Sequence, residues 1–514
     1  MTLYITAIVL LLLSGLLAPL SRHGSTFWDL LSLILGVAGA VLGLAASIIC
    51  LLQPEAYVLT IPWPGIGGML SLRLDHLAAV FLLPAFFIIG AGMIYGSGYL
   101  PHAAHPRGSA WVRSFYPVLA AGIGLVLAVG NGIVLLISWE IMALCGYFLV
   151  MTEREEEHCR QAGFVYLVST HAGTLALFAL FSLLGEEACL ISLPAAGSIE
   201  AAAGSGTAVF LLTLIGFGIK AGIMPLHIWL PAAHAAAPSH VSALMSGVMI
   251  KTGIYGILRV LSFFQDAPAW WGGLILVLGL FSGIFGVIFA IAQHDIKRLL
   301  AYHSIENIGI ILIGIGAAML GKAHGVAAVA VLGTAGALLH VINHGLFKGL
   351  LFLSAGSMIR AFGSKQLSAC GGLLPILPYT GLFFLGGAAA ICGLPPLNGF
   401  VSEWFIYLAL FQGGADAAGA MKIFLLVLPG LAMIGGLALL CFAKVFGLCF
   451  LGTPRADLHG AGEAPFPMLL AMGLLLAACL WIGLVSCHVE MLEKIRYGQK
   501  KRRRPCLRSS IDFH

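Results

Sequence analysis

Charge is what this sequence has least of. Acidic and basic residues make up 9% of the 514 positions, while hydrophobic residues make up 60% and mean hydropathy is +1.03. A soluble chain of this length carries roughly 25% charged residues to keep its surface in water. The shortage excludes a soluble enzyme, a nucleic-acid binder and a disordered protein. Spaced cysteine ligands are missing too. The 11 cysteines stand singly, mostly inside apolar runs, as at Cys50, Cys145, Cys392 and Cys479, with no CxxC or related spacing. No iron–sulfur cluster, structural zinc or other cofactor is expected in this chain, and the cysteines read as small buried apolar residues. No polar stretch is long enough for a second domain.

What is present is a series of apolar runs. A spanning helix needs about 20 such residues. About fourteen runs qualify: 3–20, 27–52, 74–97, 111–129, 132–150, 161–184, 207–230, 240–262, 271–291, 299–319, 325–356, 371–411, 423–450 and 466–488. With 66 glycines to allow close helix approach, the chain reads as an all-α polytopic membrane protein. Residues 1–490 form one transmembrane domain, and 491–514 a basic tail containing Lys500-Lys501-Arg502-Arg503-Arg504, solvated or lying on anionic lipid. Met1–Leu20 lacks a basic n-region and reads as a first span rather than a cleaved signal. Basic residues favour a cytoplasmic face for loops after odd-numbered runs, among them Arg154, Arg160, Lys297 and Arg298. The basic tail argues the other way.

Three runs do not suit one plain helix. The 207–230 run contains Pro225 and leads into Pro231 and Pro238; 371–411 carries Gly393-Leu394-Pro395-Pro396; and 325–356 holds a dense polar stripe. Proline removes a backbone donor, and in lipid the gap is tolerated only beside protein or a water-filled cavity. Discontinuous helices are therefore expected near 220–231 and 393–403, at functional cavities.

Ionisable residues in the runs are few and ordered. Each costs about 2.5–3.5 kcal/mol at the bilayer centre on insertion scales. Glu140, His171, Lys220 and Lys251 occupy four consecutive runs, with the break at the third. Glu306, then His340, His344 and Lys348, then Glu403, then Lys444 follow the same order in the second half. That order suggests two inverted repeats, about 111–262 and 271–450, of five runs each. His340, His344 and Lys348 step by four and share a helical stripe. Taken singly, each residue is as well explained as a structural polar group or a snorkelling side chain, and for Lys444 and Glu306 that reading is preferred. Taken together, they match what a proton relay needs. Glu140 is expected to pair with Lys220, and moving it away would push the lysine's proton toward Lys251. The histidine stripe would lead on to Glu403. His227 and His234, seven apart, would share one face if helical, lining water or making core hydrogen bonds.

At these residues the chain resembles the antiporter-like subunits of respiratory complex I, membrane-bound hydrogenases and multisubunit sodium/proton antiporters. The resemblance rests on Lys220-Ala-Gly-Ile-Met-Pro-Leu-His-Ile-Trp-Leu-Pro-Ala-Ala-His234, on Asp295–Ser304, on His340-Val-Ile-Asn-His-Gly-Leu-Phe-Lys348 and on Gly393-Leu-Pro-Pro-Leu-Asn-Gly-Phe-Val-Ser-Glu403, over roughly 70–450. It implies that Lys220 is the central proton carrier on a broken helix and Glu403 the terminal one. Glu403 is similar to the subunit M and hydrogenase types, where the subunit L type has lysine. The stretches 237–256 and Tyr302–Gly309 look most like the hydrogenase-4 and formate hydrogenlyase branch.

The resemblance further implies a bilayer and other membrane subunits as partners, including a quinone-site or heel-type subunit. It implies soluble redox subunits carrying iron–sulfur clusters and, in hydrogenase relatives, a NiFe centre. It also implies the cytoplasmic membrane of a prokaryote. A complex I subunit, a secondary antiporter and a membrane anchor with no transport role remain the alternative readings.

Overall fold

Residues 1–23, 26–100, 106–201, 204–415, 419, 421–455 and 462–502 are described by a computed structural model. Backbone in lipid must bond to itself, so apolar runs become helices. In order these are α1 (Thr2–Leu17), α2 (Thr26–Leu52), α3 (His76–Tyr99), α4 (Pro106–Leu127), α5 (Gly132–Val150), α6 (Glu157–Leu184), α7 (Gly206–Ala221), α8 (Trp229–Ala236) and α9 (Ser239–Leu244). They continue as α10 (Ile250–Leu261), α11 (Ala269–Ile291), α12 (Ile296–Ala323), α13 (Ala327–Phe362), α14 (Pro378–Ile391), α15 (Asn398–Gly414), α16 (Phe424–Cys449) and α17 (Phe466–Arg502).

Among the described residues twelve helices are long and apolar enough to cross a bilayer, counting α9 with α10 as one. The runs 207–230 and 371–411 are instead each divided between two shorter helices, α7 with α8 and α14 with α15. The proline argument therefore holds at both. The expectation that the 325–356 run does not suit one plain helix is not met, since it lies in one unbroken 36-residue helix, α13. The polar stripe there is a side-chain feature, and no proline removes a backbone bond. α17 continues to Arg502, and the rest of the expected basic tail, 503–514, lies outside the described residues.

One element adds to the all-α reading. β1 (Tyr57–Trp63) and β2 (Gly68–Leu74) form an antiparallel hairpin pairing Tyr57 with Leu74 and Trp63 with Gly68. It is tied to the bundle by backbone bonds from Arg73 to Ala128 and from Gly130 to Ser71, of 2.8 and 3.0 Å. Asp75 then caps α3 by accepting from Ala78 N–H at 3.0 Å. The same carboxylate is clamped bidentately by Arg259 from α10 at 2.7 Å per bond, and Arg73 adds a third charge at 3.2 Å. Burial pushes the Asp75 carboxyl up, but Arg259's hydrogen bonds and charge, the Ala78 amide and Arg73 outweigh it and hold it below the usual carboxylate range.

The interior is built around α12 and α13. α12 packs between α11 and α13, and α13 runs past α3, α9, α14, α15 and α17. Glycine permits the closest approach: a Cβ on Gly279 of α11 would stand 2.8 Å from the Gly309 carbonyl of α12. The outer faces keep large apolar residues exposed, such as Leu16, Leu175, Leu426 and Trp481, as lipid contact requires.

Candidate functional site

The first break is held together by groups that replace lost helix bonds. α7 ends at Ala221, and Gly222, with φ of 76°, turns the chain in a conformation that glycine adopts without a Cβ clash. Trp229 Nε1 donates to the Ile219 carbonyl at 2.7 Å, and the Met224 N–H donates to Ser282 Oγ at 3.1 Å. The orphaned backbone is thereby satisfied inside the protein. Lys220 occupies the last turn of α7, where carbonyl ends favour a cation. Its Nζ is buried without a hydrogen-bond partner, 5.3 Å from the Trp139 ring and 5.5 Å from that of Tyr166.

The expected Glu140–Lys220 ion pair is not formed: among the described residues no carboxylate oxygen lies within 4.0 Å of Lys220 Nζ. Glu140 turns toward α6, accepting from Thr174 Oγ1 at 2.6 Å, with His171 Nε2 at 3.5 Å. Aromatic rings supply the lysine's direct contacts, and Glu140 acts on it through space. Glu140 and His171 are part-exposed, with 28% and 49% of their side-chain surface free, so this end of the series reaches the subunit's outer face.

Lys251 and the α13 stripe meet in the core. α10 touches α7 beside Lys220, because a Cβ on Gly253 would lie 2.7 Å from Ala221 N. Between α9 and α10 the helix widens over Met245–Met249, a device frequent at functional sites. The Ser246 carbonyl freed there accepts from Lys251 Nζ, and Ser246 Oγ meets Ser304 Oγ at 2.7 Å. α13 presses on this turn, with the Gly345 carbonyl 3.2 Å from a Cβ on Gly247.

His340, His344 and Lys348 are all fully buried. His344 stacks 6.4 Å from His340 with both ring nitrogens unpartnered, and Lys348 Nζ donates to the Leu300 carbonyl. The cavity beside Lys251, lined by Phe81, Thr252 and Val341 among others, measures about 10 Å³. That is room for about one water.

The histidines of the first break separate. His234 lies on α8, fully buried, stacked 5.7 Å from Phe352, whose ring is also 5.9 Å from Lys348 Nζ. His227 precedes α8 and is only part-buried, 6.4 Å from Tyr302. The shared helical face expected for the two is absent because the break runs between them.

At the second break, Gly393 has φ of 63°, and a Cβ there would stand 2.8 Å from Glu403 Oε2. The missing side chain thus makes space for the buried carboxylate. Asn343 Nδ2 donates to the Asn398 carbonyl at 2.7 Å, covering the start of α15. Met224–Pro225 and Pro395–Pro396, one in each break, are both cis.

Lys444 stands apart. Its Nζ donates to the Ile291 carbonyl at 2.8 Å and caps α11, the structural role preferred for it. Glu306, for which a structural role was also preferred, is 1% exposed and bonded to the buried His303. Sequence reading also missed Lys297, counted as a loop charge but buried, with Nζ on the Ala237 carbonyl.

Two discontinuous helices, carrying Lys220 and Glu403 and flanking a core of buried lysine and histidine, define an antiporter-like membrane subunit. The chain belongs to the family "NADH:quinone oxidoreductase/Mrp antiporter, TM", whose model matches residues 130–428. Hydrogenase-4 component B of Escherichia coli K12 is 40% identical over 81% of this chain and 62% of its own length. Formate hydrogenlyase subunit 3 of the same strain is 36% identical over 82% of this chain and 69% of its own. The chain thus spans about two thirds of the curated relatives it matches. An archaeal membrane-bound sulfane sulfur reductase, described as a respiratory membrane complex, contains a chain with a TM-score of 0.77 and 27% identity over 93% of this chain and 75% of that one.

Proposed function

We propose that the chain is the proton-translocating, antiporter-like subunit of a membrane-bound NiFe-hydrogenase or formate hydrogenlyase-like complex in the cytoplasmic membrane of a prokaryote. Partner subunits carry the iron–sulfur clusters and the NiFe centre, and a quinone-site or heel-type membrane subunit adjoins this one. Electron transfer in those partners drives protons along Glu140, Lys220, Lys251, the His340/His344/Lys348 stripe and Glu403, in two inverted repeats. His171 and His234 assist.

The observation carrying this reading is Lys220: a buried amine at a helix break, with no hydrogen bond and no carboxylate in contact. A structural lysine at such depth is paired with a carboxylate or a carbonyl. An unpaired one suits a site that gains and loses its proton. Affinity purification of the chain from its native membrane tests the assignment. Co-purifying nickel and iron–sulfur subunits support it. Flavin- and NADH-binding subunits would transfer the same machine to complex I, and a set of membrane subunits alone to a secondary antiporter.

A further inference from the structure

The acid on α12 stands where the transport row needs a carrier. His303 and Glu306 lie one turn apart, fully buried, with His303 Nδ1 hydrogen-bonded to Glu306 Oε2. The other imidazole nitrogen of His303 has no partner, and its ring lies 4.6 Å from that of Phe442. The titratable groups facing Glu306 from neighbouring helices are Lys348 on α13, Cys441 on α16, Cys392 at the end of α14 and Glu403 on α15. Glu306 therefore interacts electrostatically with both Lys348 and Glu403.

His340 does not fill this place. Asn307 Nδ2 donates to the His303 carbonyl at 2.8 Å, which turns Asn307 Oδ1 toward His340 Nε2 at 3.1 Å. His340 thus carries a proton on Nε2 and donates it to an amide oxygen, which does not pass protons on. Its Nδ1 faces Ser402 Oγ at 2.9 Å. The side of His340 facing α12 is closed to transfer, and the titratable pair there is His303 with Glu306.

Resting on the transport reading above, we propose that His303 and Glu306 form a proton-holding dyad between Lys348 and Glu403. Glu306 is then a third carboxylate of the row, beside Glu140 and Glu403. In the first transfer the Lys348 ammonium becomes an amine and the Glu306 carboxylate an acid. In the second, Glu306 returns to carboxylate as Glu403 takes the proton. One proton moves and no electron does. No ion pair within 4.0 Å joins Glu306 to Lys348, so that transfer crosses a bridging water or a side-chain swing.

The test uses the intact complex in proteoliposomes and reads protons moved per electron with a pH-sensitive dye. Glu306→Gln is expected to lower that ratio at least about tenfold. Glu306→Asp should restore part of it with a displaced pH profile, which a merely structural acid would not produce. Should Glu306→Gln fail to assemble, His303→Gln carries the test, with a several-fold loss expected. A parental ratio in Glu306→Gln or His303→Gln, with Lys220→Ala inactive, overturns the dyad alone. A parental ratio in Lys220→Ala overturns the transport reading itself.

Discussion

Lys220 and Trp139 meet as cation and ring, the amine nitrogen 5.3 Å from the ring centroid, in a pocket where no carboxylate touches the lysine. A desolvated cation–π contact contributes about 2 kcal/mol. The ring therefore shares the holding role with Glu140, which acts on Lys220 through space rather than by contact. Trp139→Leu should reduce protons moved per electron several-fold, and Trp139→Phe should reduce it less. Equal transport in both variants and the parent would remove the ring from the account.

The Asp75–Arg259 clamp predicts a stability effect away from transport. Asp75→Asn or Arg259→Leu leaves one buried partner uncompensated, at a cost of about 3–5 kcal/mol. The Asp75/Arg259 double replacement by leucine should cost less than the two single changes added. Thermal unfolding of the detergent-solubilised protein reads all three.

The same clamp sets a pH dependence. Asp75 titrates lower in the folded protein than in the unfolded chain, where a carboxyl of its type has a pKa of about 3.9. Its stabilisation is therefore fully present above that value and lost as pH falls through the lower folded one. Acid melting curves of the parent should steepen below about pH 4. Those of Asp75→Asn should lack that component.

Helix approach gives a third prediction. A Cβ on Gly309 would lie 2.5 Å from the Gly279 carbonyl, whereas one on Gly436 meets nothing within 4 Å. Gly309→Leu should destabilise by about 1–3 kcal/mol or more and impair assembly, while Gly436→Leu should leave the melting temperature unchanged. Fluorescence-detected gel filtration with a thermal ramp separates the two.

Lys444 predicts the reverse of a carrier. Lys444→Ala loses one hydrogen bond to the end of α11, at about 1 kcal/mol, and should keep its proton-to-electron ratio. A lost ratio with unchanged stability would return Lys444 to the row.

The sequence displayed what lipid dictates. Apolar length marked the spans, and Pro225 and Pro395-Pro396 marked both breaks, because each has a direct backbone cost. Depth and partnership were not legible. Lys297 stands just outside the run 299–319 and Glu306 inside it, yet both are buried, Lys297 against the Ala237 carbonyl and Glu306 against His303. Asp75 and Arg259 are 184 positions apart, and no local pattern links them. The α13 stripe looked like an interruption because polarity was taken for a break. The hairpin escaped because its strands are short and lie between two strong apolar runs.

Proton transport by the intact complex carrying Lys220→Ala, in proteoliposomes and counted per electron transferred, addresses the central claim most directly. A collapse of the ratio in an assembled complex is the predicted result. Parental transport without that amine would contradict the account.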